Sequence, residues 1–224
     1  MKRSEINQFI KEAEQFFQKH QWHLPRWCGW NLQQWREHHE ACEDLFSGRL
    51  GWDLTDFGKG DYLRFGLLLV TLRNGRPDSQ GKCYAEKIMM VREAQETPLH
   101  FHWSKQEDII NRGGGKLVFE LFLSTDTEGL ADYPFTLARD GVSIPVEPGA
   151  PVVLDPGESL TIDQRVYHRF YALPGHGPVL CGEVSSVNDD DRDNRFYEQI
   201  DRFPDIYEDE APYRLLVSDY ASII

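Results

Sequence analysis

The hydrophobic residues nearest the N-terminus recur at the spacing of an amphipathic helix, in which apolar residues three or four positions apart share one face. They are Ile6, Phe9, Ile10, Ala13, Phe16 and Phe17. Ser4 precedes them and can cap the first turn. A second helix is predicted in LQQWREHHEACEDLF, ending before Ser47. Residues 1–60 are therefore expected to form a helical segment whose apolar face packs on the rest of the protein.

From residue 61 the pattern changes to short runs of β-branched and aromatic residues separated by turn residues, as in LRFGLLLVTLRNGRP, KLVFELFLS and PVVLDPGESLTI. Many short strands without intervening helices are typical of a sandwich or a barrel. The tail after Asn188 is irregular but rich in aromatic residues, so we expect it to wrap back on the core. We predict one structural domain, with the barrel and its tail in residues 61–224.

Composition and charge narrow the choice of compartment and partner. The chain of 224 residues carries a formal net charge of −13 and shows no basic stripe, which argues against nucleic acid and anionic membranes as partners. Its apolar runs are too short to span a membrane. The four cysteines form no C-x-x-C pair, and the N-terminus lacks the apolar stretch of a signal peptide. We therefore expect a cytoplasmic protein that binds a small molecule.

The stretch PLHFHWSKQEDIINRGG contains the first candidate site. In a strand, His100 and His102 point to the same side, and Glu107 follows after a short turn that can bring its carboxylate beside the two rings. Two imidazoles and a carboxylate suit Mn, Fe, Co, Ni or Zn. The alternative is that the two histidines only form the polar face of a strand.

The spacing of His100, His102, Glu107 and Gly114 resembles the first signature of the cupin superfamily. Ala94 stands where that signature normally opens with glycine. The resemblance implies a mainly β protein with a cupin-type antiparallel β-barrel (jelly roll), here with an N-terminal helical segment. It also implies one divalent metal ion, held by three histidines and a glutamate.

The second cupin signature has a degenerate counterpart further along the chain. Gly157 and His168 stand at the family's separation, whereas Asp163, Arg165 and Ala172 replace its proline, glycine and asparagine. The resemblance makes His168 the fourth metal ligand. The alternative is an ordinary strand histidine that forms hydrogen bonds within the barrel.

A turn in LPGHG suggests a candidate base. If it closes a hairpin centred between Gly175 and His176, His168 lies opposite Glu183, and directly opposed residues share a face. A spare carboxylate beside a cation can act as a general base, unless the register slips by one residue and turns Glu183 outward. Lys105, at the mouth of the site, can donate to a substrate oxygen or is a solvated loop cation.

A closer resemblance covers most of the chain. WDLTDFGKGDYLRFGLLLVTLRNG, HFHWSKQEDIINRGGGKL and CGEVSSVNDDDRDNRFYEQIDRF are together similar to the D-lyxose isomerases, which are metal-dependent cupin sugar isomerases. The resemblance implies a homodimer that uses a divalent metal, usually manganese. It implies interconversion of D-lyxose with D-xylulose, and often of D-mannose with D-fructose. The family's ligands carry over onto His100, His102, Glu107 and His168, and its lysine onto Lys105.

The expected reaction is a metal-assisted proton transfer through a cis-enediol, with a hydride shift as the competing mechanism. The loop NDDDRDNRF can supply Asp193 and Arg195 as substrate contacts, or these residues form a local salt-bridged turn. A cupin dioxygenase that uses iron or nickel and a non-catalytic sugar-binding cupin are the rival classes. A dioxygenase favours an apolar pocket, and a binding module does not need a full set of ligands.

Overall fold

The computed structural model describes residues 1–76, 81–189, 192–201 and 204–222. Three α-helices come first: α1 (Arg3–Lys19), α2 (Leu32–His38) and α3 (Glu43–Ser47). Short 3-10 helices span Arg26–Gly29, His39–Ala41 and Val217–Ser222. The strands in the described ranges are β1 (Gly51–Thr55), β2 (Leu67–Arg73), β3 (Tyr84–Val91), β4 (His100–His102), β5 (Glu107–Gly114), β6 (Leu117–Leu123), β7 (Phe135–Arg139), β8 (Val142–Val146), β9 (Val152–Leu154), β10 (Ser159–Ile162), β11 (Val166–Ala172), β12 (Val179–Ser186) and β13 (Asn194–Phe196).

The strands form two antiparallel sheets that enclose a barrel. In the described residues the larger sheet has the order β1-β2-β3-β12-β5-β10-β7-β8, and the smaller has the order β13-β4-β11-β6-β9. Strands β1, β2 and β3 pair in chain order, as do β7 and β8, whereas the other neighbouring strands are not consecutive in the chain, as expected of a jelly roll. The predicted mainly β barrel with an N-terminal helical segment is confirmed. The sheet begins at Gly51, however, so residue 60 does not separate the helices from the strands.

The barrel core consists of inward-facing side chains from both sheets. It includes Phe119, Leu121, Leu154 and Leu160, all fully buried. Alternation along a strand sends every second residue to this side. Met89 and Phe170 belong to the same cluster and also line the cavity described below, so the functional site borders the packed core directly.

Helix α1 covers the outer face of the larger sheet. Its residues Ile6, Ile10 and Phe17 pack with Leu68 and Val70 of β2 in a second buried cluster. This is the apolar face that the helical spacing predicted. None of the helices in the described residues has the length and hydropathy of a membrane span.

The ends of the predicted helices differ from expectation. Helix α1 begins at Arg3, so Ser4 lies inside its first turn and its hydroxyl instead donates to Asp209 at 2.7 Å. The second predicted helix is divided, because a 3-10 turn interrupts it after His38.

The C-terminal tail packs against α1. The Arg3 guanidinium, with a side chain only 2% exposed, forms bidentate ion pairs with Glu208 and Asp219 at 2.6 and 2.8 Å. The hydrogen bonds to Glu208 and Asp219 raise the pKa of Arg3 and outweigh burial, which lowers it. These ion pairs therefore connect the first turn of α1 to the C-terminal tail.

We expect Arg3→Met to lower the free energy of unfolding by about 2–4 kcal/mol, because it leaves the largely buried Asp219 without its cation. The measurement is urea unfolding followed by circular dichroism. Glu208→Gln is the matched control. Its side chain is 55% exposed, so its loss should cost less than about 1 kcal/mol. Equal stability of Arg3→Met and the wild type would show that these ion pairs do not stabilise the contact between α1 and the C-terminal tail.

Candidate metal and sugar site

The site lies between the inner faces of the two sheets. The smaller sheet contributes imidazoles: His100 and His102 from β4 face His168 of β11, with His168 paired directly to His100. The larger sheet contributes charged groups from β5, β12 and β3, at the positions Glu107, Glu183 and Lys87. The predicted alternation in HFH is correct, because Phe101 points to the opposite side and packs on Tyr167.

The three histidines form a compact group of possible metal donors. One ring nitrogen from each lies within 4.8 Å of the others. The rings of His100 and His168 are 4.3 Å apart between centroids. His100 and His168 are close because they pair directly across β4 and β11, so their side chains share a face of the sheet.

Glu107 lies against two of these rings. Its Oε1 atom lies 3.0 Å from His168 Nε2 and 3.5 Å from His102 Nε2. These contacts lack hydrogen-bond geometry, and this buried oxygen has no hydrogen-bond partner in the described part of the chain. A cation would satisfy it, so the residues present fit the predicted divalent metal.

Hydrogen bonds on the far side of two rings leave their Nε2 atoms facing the site. His100 Nδ1 lies 2.8 Å from the Pro98 carbonyl oxygen, and His168 Nδ1 lies 3.0 Å from that of Val166. A ring nitrogen against a carbonyl carries the proton, so the other nitrogen presents its lone pair. These bonds select the tautomer that binds a metal.

The protonation states also favour metal binding. Burial and the neighbouring His168 and His102 rings hold the pKa of His100 well below its usual range. Burial and the Lys105 ammonium lower the pKa of His102. Burial opposes ionisation of Glu107, but Lys105 and His102 outweigh it and keep its pKa well below normal. Neutral imidazoles and an ionised carboxylate are the forms that ligate a cation.

Lys105 bridges the two buried carboxylates. Its Nζ atom lies 2.7 Å from Glu107 Oε2 and 3.0 Å from Glu183 Oε1. The side chain is only 3% exposed, so it is not a solvated loop cation. Burial lowers the pKa of Lys105, but the two carboxylates outweigh this effect and raise it. Lys105 therefore lies inside the site, and its contact with a substrate oxygen stays a prediction.

Glu183 has a second cationic partner. Its Oε1 atom lies 3.2 Å from Lys87 Nζ and accepts a hydrogen bond from the Ser185 hydroxyl at 3.1 Å. Lys87 also donates to Asn188 at 2.9 Å. Burial raises the pKa of Glu183, but Lys105 and Lys87 prevail and lower it. Glu183 is therefore an ionised carboxylate held between two ammonium groups.

The hairpin that led to Glu183 does not exist. Strand β11 pairs with β4 and β6 in the smaller sheet, whereas β12 pairs with β3 and β5 in the larger one. Both edges of β11 are thus occupied, and the LPGHG turn crosses between sheets. Glu183 lies opposite Lys87 and Ile109 instead of His168. It still points inward because the larger sheet presents that face to the barrel.

A cavity of about 720 Å³, including its open mouth, adjoins these groups. Its polar wall contains the metal-donor group, both lysines and Glu183, and its apolar wall includes Leu67, Ile109 and Phe170. The cavity can therefore accept a polar molecule with several hydroxyl groups on one side and a carbon chain on the other.

The predicted substrate contacts Asp193 and Arg195 lie elsewhere. Alternation in β13 sends Asn194 and Phe196 to the cavity wall. Arg195 faces the other side of the sheet, where it forms an ion pair with Glu128. The carboxylate of Asp193 accepts hydrogen bonds from the loop that carries Lys105. Neither residue is among those that line the cavity, unlike the other predicted site residues.

Sequence reasoning missed Lys87, Asn194 and Phe196. Lys87 had a usable signal, because it is a lysine inside the apolar run of β3 and two positions from Met89, which lines the cavity. A charged residue in such a position needs a buried partner. Asn194 and Phe196 carried no such signal, since their orientation depends on the pairing of β13 with β4.

Comparison with known proteins identifies the family. The D-lyxose isomerase family model matches residues 1–220. The chain belongs to the D-lyxose isomerase family. It is 47% identical over 223 residues to the D-lyxose/D-mannose isomerase of Escherichia coli O157:H7, covering 98% of each chain. It is 45% identical over 227 residues to that of Serratia proteamaculans, covering 100% of each.

Solved structures support the fold of the family. The chain is similar to the ligand-free L-ribose isomerase of Cellulomonas parahominis, with a TM-score of 0.58, 16% identity, and coverage of 89% of this chain and 93% of the other. The L-ribose isomerase of Acinetobacter sp. DL28 in complex with L-ribose gives a TM-score of 0.59, with 16% identity and the same coverage. The predictions of a cupin-type fold, of this family and of an aldose–ketose sugar isomerase are confirmed.

We expect His168→Ala to lose most of the bound divalent metal, because the variant removes one of the converging donors. The measurement is metal content by mass spectrometry after reconstitution and gel filtration. His176→Ala, at an exposed turn, is the matched control and should retain wild-type content. Full metal content in His168→Ala would show that the ligand set is wrong.

Proposed function

We propose that the protein interconverts D-lyxose with D-xylulose and D-mannose with D-fructose. The observation that carries this proposal is the buried set of three histidines and Glu107 beside the Lys105–Glu183 pair, in a cavity with a polar and an apolar wall. The similarity to two D-lyxose/D-mannose isomerases over nearly the whole chain supports the choice of sugars.

The alternatives are less well supported. A dioxygenase site favours an apolar cavity, whereas this one contains two buried lysines and a second carboxylate. A non-catalytic sugar-binding module has no use for an ionised carboxylate placed between two ammonium groups. An isomerase needs a proton acceptor and a proton donor next to the metal, and the chain provides both.

Isomerisation requires that a proton leaves C2 of the aldose and returns at C1, while a hydroxyl proton moves from O2 to O1. A divalent metal held by His100, His102, Glu107 and His168 would supply a Lewis acid for the sugar oxygens. Glu183 is ionised, so it can take the C2 proton to leave a cis-enediol and then return the proton to C1.

Lys105 serves the oxygen side of the reaction. Its ammonium can donate to the sugar oxygen on which negative charge develops and recover a proton from the neighbouring hydroxyl. When Lys105 turns toward the sugar, Glu183 keeps Lys87 and Ser185 as partners. The base therefore stays in position throughout the transfer.

We propose manganese as the metal, a homodimer as the assembly and the cytoplasm as the compartment. The family resemblance implies the metal and the dimer, and nitrogen and oxygen donors suit manganese among the divalent ions. The four cysteines are unpaired, as suits a reducing compartment. Reconstitution with Mn, Fe, Co, Ni and Zn and light scattering test the first two of these points.

A panel of aldoses tests the proposed function. With manganese-loaded protein, D-lyxose and D-mannose should form their ketoses, and kcat/KM for L-ribose should be at least about tenfold lower, because pocket contacts discriminate between hydroxyl configurations. The measurement is ketose formation by chromatography. Absence of a ketose product from both D-sugars would refute the proposal.

Glu183→Gln tests the proton transfer. We expect kcat to fall about a hundredfold or more with metal content unchanged, because the amide keeps the size of the side chain but loses the basic oxygen. Glu86→Gln is the matched control, since Glu86 lies next to Lys87 in the same sheet but pairs with Arg73 on its outer side.

Isotope incorporation completes this test. A proton-transfer mechanism in heavy water should place deuterium on C1 of the ketose. Wild-type turnover by Glu183→Gln, or a product without deuterium at any conversion, would instead favour a different base or a hydride shift.

A further inference from the structure

Asp193 precedes β13 and is buried, with 6% of its surface exposed. Its Oδ1 atom accepts hydrogen bonds from the Ser104 amide at 2.7 Å and the Ser104 hydroxyl at 2.5 Å. Its Oδ2 atom accepts one from the Lys105 amide at 3.0 Å. Three donors from two successive residues therefore converge on one carboxylate.

The loop that supplies these donors connects two parts of the metal-donor group. It runs from His102, at the end of β4, to Glu107, at the start of β5, and carries Lys105 between them. Successive amides directed at one anion form a concave binding site for it. Hydrogen bonds to a carboxylate are about twice as strong as neutral ones. Asp193 therefore restrains the backbone from which Lys105 reaches both glutamates.

Asp193 also lies behind a histidine. Its Oδ2 atom is 3.9 Å from His102 Nδ1, and this buried nitrogen has no hydrogen-bond partner in the described part of the chain. The other two histidines hold their Nδ1 protons on carbonyl oxygens. A negative charge at this distance favours the proton on Nδ1 and leaves the Nε2 lone pair for the site.

The backbone of Asp193 leads directly into the cavity wall. The Asp193 carbonyl oxygen accepts the Trp103 amide at 3.0 Å, and the next residue, Asn194, pairs with His102. Asn194 and Phe196 line the cavity. The wall of the sugar cavity and the loop that carries Lys105 are thus joined through one buried aspartate.

We propose that Asp193 is a positioning residue for the isomerase reaction, which holds Lys105 and His102 in their working geometry without contacting the sugar. This inference rests on the proposed function. It assigns Asp193 a role different from the substrate contact that the sequence suggested.

Asp193→Asn in the metal-loaded enzyme tests the proposal. The amide keeps one acceptor oxygen but loses the charge and places an NH₂ group against one of the loop donors. We expect kcat to fall about 10- to 100-fold, the usual effect of losing a group that orients a metal ligand, while KM changes less than about threefold. Release of the metal to EDTA, measured without sugar, should become faster.

Asp163→Asn is the matched control. Asp163 is exposed and accepts a hydrogen bond from Gln106, in the same loop but on its outer side. It should show wild-type kcat and metal release. Asp193→Asn with the same values as this control would overturn the proposal, as would a raised KM with unchanged kcat, which indicates direct contact with the sugar.

Ser104→Ala is a second variant, and it tests the proposal even if Asp193→Asn does not fold. It removes one donor to Asp193 and leaves both amides, so kcat should fall about threefold, as expected for one hydrogen bond, with KM unchanged. Unchanged kcat in Ser104→Ala would count against the proposal. The EDTA measurement needs no substrate, so it separates a failure of this inference from a failure of the proposed function.

Discussion

The ammonium group of Lys105 lies between two buried carboxylates, and the charge balance of the site depends on this contact. Glu107 and Glu183 are 2.7 and 3.0 Å from it. Without a cation between them, two carboxylates in a desolvated space would repel each other, and at least one would take up a proton. Removing one partner of such a buried group typically costs several kcal/mol. Both glutamates can therefore stay ionised in the buried site.

The two sheets divide the chemistry between them. The smaller sheet supplies the imidazoles of His100, His102 and His168, and the larger sheet supplies the charged side chains of Glu107, Glu183 and Lys87. The cavity lies along the boundary between these groups. A molecule in it would have the imidazoles on one side and the carboxylate of Glu183 on another. The packed barrel core next to the cavity keeps these faces at a fixed separation, since protein interiors are close-packed.

The degenerate cupin signatures have a structural explanation. Ala94 and Arg165 stand where the family has glycine, and both keep the left-handed backbone, with φ of 54° and 61°. This conformation costs about 1–2 kcal/mol for a residue with a Cβ atom. Hydrogen bonds to residues distant in the sequence hold both positions: the Ala94 amide donates to the Ala172 carbonyl oxygen, and the Arg165 amide donates to the His102 carbonyl oxygen. Both positions therefore have the left-handed backbone without a glycine, and His168 pairs directly with His100.

The sequence by itself determined the features that depend on local periodicity. Helical spacing identified the buried face of α1, and strand alternation placed His100 and His102 on one side, with Glu107 after a turn. The resemblance to a family then extended this set to His168.

Only the tertiary structure decided which strands are neighbours. The predicted hairpin between β11 and β12 does not form, because β11 already has partners on both edges. Glu183 nevertheless faces the site. The placements of Asp193 and Arg195 differ from expectation for the same reason. Periodicity shows that two residues share one side of a strand. It does not show to which sheet the strand belongs, or whether that side faces the interior of the barrel. That choice depends on the pairing of distant strands, which the burial of the whole core determines.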